Sequence, residues 1–190
     1  MKRLSLLLIA VIGVFSMLSI SSCQNKSKQA DENAVLTVDE VLAKGETLTE
    51  KDITIEGVCT HTCAHGGRKI FLMGEDDSKT IRIEAGEGKD AFSKDCVNSM
   101  VSVKGKVMEE RIDEEYLMKW EEGIKAKTAE KHGEDEAGCE TEKKALNETP
   151  ADSEMERIDN FRKRIAEEKA KTGKAYLSFF YIVADSYEIK

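Results

Sequence analysis

Apolar residues recur at every second position in three separate stretches of this chain, a period that strands satisfy and helices do not. From Lys51 to Cys59, Ile53, Ile55 and Gly57 alternate with Thr54, Glu56 and Val58. From Thr80 to Ala85, Ile81, Ile83 and Ala85 point one way, and Arg82 and Glu84 the other. Met100 to Met108 sets Val101, Val103, Gly105 and Val107 on one face. Such alternation marks strands with one face on a core and one in water. Two further runs complete the set: Lys69 to Met73, followed by turn chemistry at Gly74-Glu75-Asp76-Asp77-Ser78, and Ala175 to Ile189, rich in Tyr, Phe, Ile and Val. Val38, Val41 and Leu42 predict a short helix from Val38 to Leu48 ending near Gly45. Lys89 to Ser99 predicts another, burying Ala91, Phe92 and Cys96. The parity of Ile53 and Ile55 extends to Cys59 and His61, which puts those two on the core face unless a bulge intervenes.

Between the fourth and fifth of these strands the composition changes. Residues 109–172 hold 20 acidic and 13 basic side chains and supply most of the chain's net charge of -8. Tyr116, Leu117, Trp120 and Ile124 stand at helical spacing, as do Met155, Ile158, Phe161 and Ile165. Thr149-Pro150 reads as an N-cap with proline at the first helical position, and Gly173 as a C-cap. Thr128 to Glu148, with Gly133 and Gly138, reads as the tip between two helices. The expectation is an acidic helical hairpin over 109–173, inserted into a β domain formed by 36–108 and 174–190. The aromatics of the insertion dock it on that domain. Its acidic face is the surface on which a protein partner would meet it.

The order strand, strand, strand, short helix, strand, strand resembles the OB-fold, a small five-stranded barrel. Gly57, midway along the first strand, suits the coiling such a barrel requires. From Ile53 to Ile83, and again at Met100 to Val107, the chain is similar to periplasmic OB-fold domains of bacterial secreted and lipid-anchored proteins. The competing architecture is a less regular antiparallel sandwich. The expected fold class is mainly β with an α insertion.

Met1-Lys2-Arg3 precedes an apolar run from Leu4 to Ile20. A basic start, an apolar stretch and small residues before a cut site make a secretory signal. An uncleaved membrane anchor is the alternative, since the run is near the lower spanning limit. Ile20-Ser21-Ser22-Cys23 resembles a bacterial lipobox, which implies a signal peptide over 1–22 and lipidation of Cys23. Several acyl chains, palmitate among them, would hold the protein stably at a membrane. Residues 23–35 then form a polar tether. Gln24-Asn25-Lys26-Ser27-Lys28 lacks the acidic run that directs some such lipoproteins to the cell surface. The expected location is therefore the cell envelope, on the periplasmic face of the outer membrane. Loss of 1–22 removes Lys2 and Arg3 and no acid, so the remainder is more negative still. That balance excludes a general nucleic-acid binder, which needs a basic face to displace phosphate counterions.

One segment concentrates reactive side chains. Cys59-Thr60-His61-Thr62-Cys63-Ala64-His65-Gly66-Gly67 holds two of five cysteines and two of three histidines. Imidazole and thiolate suit zinc or copper. In a straight strand residues 59 and 65 lie roughly 20 Å apart, too far for one ion. Neighbours two apart, such as His61 and Cys63, can share one, or three of the four if the chain reverses at Gly66-Gly67. The candidate ligands are Cys59, His61, Cys63 and His65, with Cys139 and His132 of the insertion as remoter candidates. Disulfides are the alternative, pairing Cys59 with Cys63 or Cys96, or Cys63 with Cys139. A thiol redox role is the third reading, although CxxC is absent. Arg68-Lys69 is a candidate anion site or a solvated basic pair. No phosphate-binding loop, nucleophile elbow or HExxH occurs, so the expectation is a binding protein and not an enzyme, with no cofactor other than a metal ion.

Overall fold

The computed structural model describes residues 34–63, 66–129 and 140–190. Cys23, His65, His132 and Cys139, with the expected leader and most of the tether, lie outside them. The described elements are β1 (Val35–Thr37), α1 (Val38–Leu48), β2 (Asp52–Thr62), β3 (Lys69–Met73), β4 (Thr80–Ala85), β5 (Met100–Ile112), α2 (Glu114–Ala129), α3 (Glu140–Ala145), α4 (Glu154–Thr172) and β6 (Leu177–Ile189). Five strands close a mixed barrel in the order β2-β3-β4-β6-β5, with β5 returning to β2. Every pairing in the ring is antiparallel except β4 with β6. Short β1 adds to β2 in parallel, outside the ring.

The alternation read from the sequence fills the barrel. Ile55, Cys59, Ile70, Leu72, Ile81, Ile83, Val101, Val103, Val107 and Ile182 are all 0% exposed in one cluster. Their burial supplies the main drive to fold, at about 25 cal/mol per Å2 of apolar surface. Gly57 is required for contact: a Cβ there would come within 2.9 Å of Val38 Cγ2 and 3.0 Å of the Met73 carbonyl oxygen. Helix α1 plugs the barrel with Val38 and Val41. A capping box starts it, the Thr37 hydroxyl accepting from the Glu40 N–H and the Glu40 carboxylate from the Thr37 N–H.

Several expected boundaries move. Strand β5 runs to Ile112, beyond Met108, because its extension pairs with β6 as far as Leu177. Lys89 to Ser99 forms only a single 3-10 turn, Lys94–Cys96, which buries Phe92 and Cys96 but leaves Ala91 exposed. Helix α4 is capped by Ser153, whose hydroxyl accepts from the Glu156 N–H, and not by Thr149. Gly173 is its left-handed cap, with φ +84°. Met155 is 38% exposed, and Arg157 takes the buried position on α4 instead. Helix α3 falls within the segment expected as the tip of the hairpin. In chain order the three helices α2, α3 and α4 lie between β5 and β6. A second cluster, Ile112, Leu117, Ile158, Phe161 and Ile165, packs α2 and α4 beside the extended ends of β5 and β6. Among the described residues no helix is long and apolar enough to cross a membrane.

Candidate functional site

The chemistry-rich segment is the far end of β2, and one irregularity decides its geometry. Cys59 pairs with Leu72 and His61 with Phe71, so Thr60 is an extra residue, a β-bulge. Before the bulge, Cys59 points inward with Leu72 and is 0% exposed. After it, His61 turns outward with Phe71, their rings 5.9 Å apart. Phe71 in turn pairs with Arg82, and Arg82 with Tyr181, so His61 begins a row of side chains across the outer wall. The His61 Nε2 atom is buried and has no hydrogen-bond partner among the described residues.

The strand then closes a tight reversal. The Cys63 N–H donates to the Lys69 carbonyl and the Gly67 N–H to that of Cys63, at 2.9 and 3.1 Å. Gly66 and Gly67 have φ of +78° and +63°, the left-handed pair that such a reversal favours. Strand β2 ends at Thr62, but the Cys63 N–H bond to the Lys69 carbonyl carries the pairing one residue further and puts residue 63 on the side of residue 61. Of the four residues singled out, His61 and Cys63 therefore share the outer wall, Cys59 faces the opposite way, and His65 lies outside the described residues. Among the described residues no three His, Cys, Asp or Glu side chains converge as a metal-binding group.

Cys59, Cys63 and Cys96 are free thiols. The Cys59 thiol donates to the His61 carbonyl at 3.6 Å. Burial pushes the Cys59 thiol up, and does the same to Cys96, with Cys59 close enough to add to the effect. Both shifts run opposite to what a nucleophilic thiolate needs.

Beside His61 and Cys63 the outer wall carries a charge network that sequence reasoning missed. Arg82 donates through Nη2 to Glu110 at 2.7 Å and through Nη1 to Glu142 at 3.3 Å, with Glu84 3.1 Å from its Nε. Its guanidinium lies 4.7 Å over the Tyr181 ring. Lys69 donates to Glu142 at 2.9 Å. Burial alone would raise the Glu142 carboxyl, but Lys69 and Arg82 reverse the sign and hold it below its ordinary 4.5. Glu142 thus ties α3 to the wall formed by β3 and β4. An open cavity of about 340 Å3 remains between that wall and the helices, lined by Lys69, Arg82, Glu110, Tyr116, Trp120 and Glu142. The signal available in the sequence was the outward pointing of Arg82 and Glu84; the partner helix had none. Arg68 and Lys69 form no joint anion site. Arg68 donates to the carbonyls of Lys89, Ala85 and Gly86, bracing the loop after β4, while Lys69 faces Glu142.

No protein-family model matches the chain, and no curated protein matches it. Among solved structures it is similar to a protein described as an aspartyl-tRNA synthetase from Leishmania major Friedlin, with 19% identity over 45% of this chain and 18% of that one. The TM-score of 0.28 carries no argument about fold or activity.

Proposed function

We propose that this chain is a lipid-anchored binding module built on an OB-fold, which takes a soft metal ion, zinc or copper, on its outer wall. The strand order, with its one parallel pairing between the third and fifth barrel strands, supports the OB assignment. In that fold the second and third strands and the loop between strands one and two flank ligands. Here those parts are β3, β4 and the segment from Cys63 to Arg68.

The observation that carries the metal reading is the orphaned His61 Nε2. A buried imidazole nitrogen without a partner loses hydration and gains nothing, unless a ligand occupies it. A metal ion is such a ligand, and Cys63 is the soft donor two residues away on the same side. His65 is the third donor that the sequence supplies, and water or a partner's side chain completes four-coordination. Cys59 is left to packing.

Residues 24–190, purified without chelator, should carry near-stoichiometric zinc or copper by elemental analysis. Alanine at both Cys63 and His65 should abolish uptake and leave the circular-dichroism spectrum intact, while Cys59→Ala should keep the stoichiometry. Metal content unaffected by the double substitution would refute the reading. The anchor rests on the lipobox: labelled palmitate should enter the chain in cells and fail to enter Cys23→Ser. A second reading, a protein-interaction lipoprotein, is favoured by Met118 and Met155 of the insertion, 53% and 38% exposed. In that case a partner co-purifies with the metal-free double variant as well as with the wild type.

A further inference from the structure

We infer that the chain has a second ligand site, separate from the end of β2: an open cavity beside the start of β6 that binds a small monocarboxylate with an apolar or aromatic body, the carboxylate resting on Arg164. The inference begins with what each arginine does. Six lie among the described residues, and four hold carboxylates: Arg82, Arg111, Arg157 and Arg162. Arg68 is satisfied by three backbone carbonyls. Arg164 is different. Its Nη1 donates to the Leu146 carbonyl at 3.1 Å, and its guanidinium lies 5.2 Å from the Phe161 ring and 5.6 Å from that of Phe179. Among the described residues no carboxylate stands within ion-pair distance of it.

A guanidinium offers five N–H donors in a planar fork. One of them is used here, and burial pushes this side chain's pKa down, as befits a cation short of compensating charge. The cavity in front of it measures about 380 Å3, within the roughly 300–1,000 Å3 typical of ligand pockets. Leu42, Leu177, Phe179 and Phe180 give it an apolar wall.

Charge on the rim narrows the ligand further. Glu46 is held by Lys174, and Glu168 accepts the Thr172 hydroxyl. These two acids repel a doubly charged phosphate more strongly than a single carboxylate. The arginine fork matches carboxylate and phosphate alike, so the acidic rim is what selects the carboxylate. The apolar wall then receives the rest of the molecule.

The test titrates the purified full chain with phenylacetate, using phenylacetamide as the neutral isostere. Saturable phenylacetate binding is expected, with the Arg164 Nε–H resonance and the Phe179 amide shifting together. Phenylacetamide should bind more weakly. Arg164→Gln should weaken phenylacetate about tenfold or more, the scale of a hydrogen bond to a charged group. Glu168→Gln should tighten it. Equal affinity for acid and amide, unchanged affinity in Arg164→Gln, or no saturation at millimolar phenylacetate would overturn the inference. The amide comparison needs no substitution and decides the matter even if Arg164→Gln does not fold.

Discussion

Among the described residues, the side chains buried inside the barrel are aliphatic, with Phe92 and two cysteines among them and no charge. Outside it, between the helices and the extended ends of β5 and β6, burial is aromatic and ionic. Trp120 and Phe161 stand 6.2 Å apart, and Phe161 meets Phe179 edge-on at 6.3 Å. Arg157 lies 4.7 Å over Trp120 while its guanidinium grips Glu148 at 2.6 and 2.7 Å. Those two side chains are 9% and 4% exposed. The contrast separates two ways of holding a protein together. The barrel depends on volume and strand register, which have no preferred direction within the core. The helical layer depends on ring orientation and charge pairing, so pH and single polar substitutions reach it.

The sharpest test is Phe161→Ala, expected to cost about 3–5 kcal/mol because it empties the centre of the helical cluster. Hydrogen exchange should show α2 and α4 opening while β2, β3 and β4 stay protected. Equal loss in the barrel would make the two layers one cooperative unit. Ile83→Ala should cost about 2–5 kcal/mol, and here all regions should lose protection together. Ser153→Ala should cost about 0.5–2 kcal/mol by removing the cap of α4, read as a lower thermal midpoint of the helical layer.

The smallest effect is electrostatic. The Glu142 carboxyl is held below 4.5, so its contribution is complete above that pH and is lost as the pH falls toward the folded-state value. Trp120, the chain's single tryptophan, lines the same cavity and reports the change. Its emission should shift on acidification below pH 4.5 before the far-ultraviolet spectrum changes. Glu142→Gln should remove the acid-dependent step.

Which parts were legible in the sequence follows from the range of the forces that form them. The strands at Ile53 to Cys59, Thr80 to Ala85 and Met100 to Val107 were legible because alternation is local and one face is fully buried. Gly173 was legible because a left-handed helix end favours glycine. Helix α3 was not: it is six residues long, and Glu142 finds Lys69 and Arg82 some seventy and sixty positions away. Arg157 reads as a surface residue until Trp120 and Glu148 enclose it. At the candidate metal site the residue types were legible and their sides were not. The parity of Ile53 and Ile55 carries Cys59 inward as expected, but the bulge is fixed by the register of β3 against β2.

Thr60 therefore acts as a change of phase within a single strand. Before it the odd-numbered positions, Ile55, Gly57 and Cys59, are the ones whose substitution must fit the enclosed volume of the barrel. After it the odd-numbered His61 answers to the outer wall, where one donor can be exchanged for another without refitting the interior. If β2 ran through Thr60 without the bulge, that independence would go: unbroken alternation would turn His61 toward the space beside Ile70 and Leu72, and the chemistry of the loop would become hostage to the packing of the barrel.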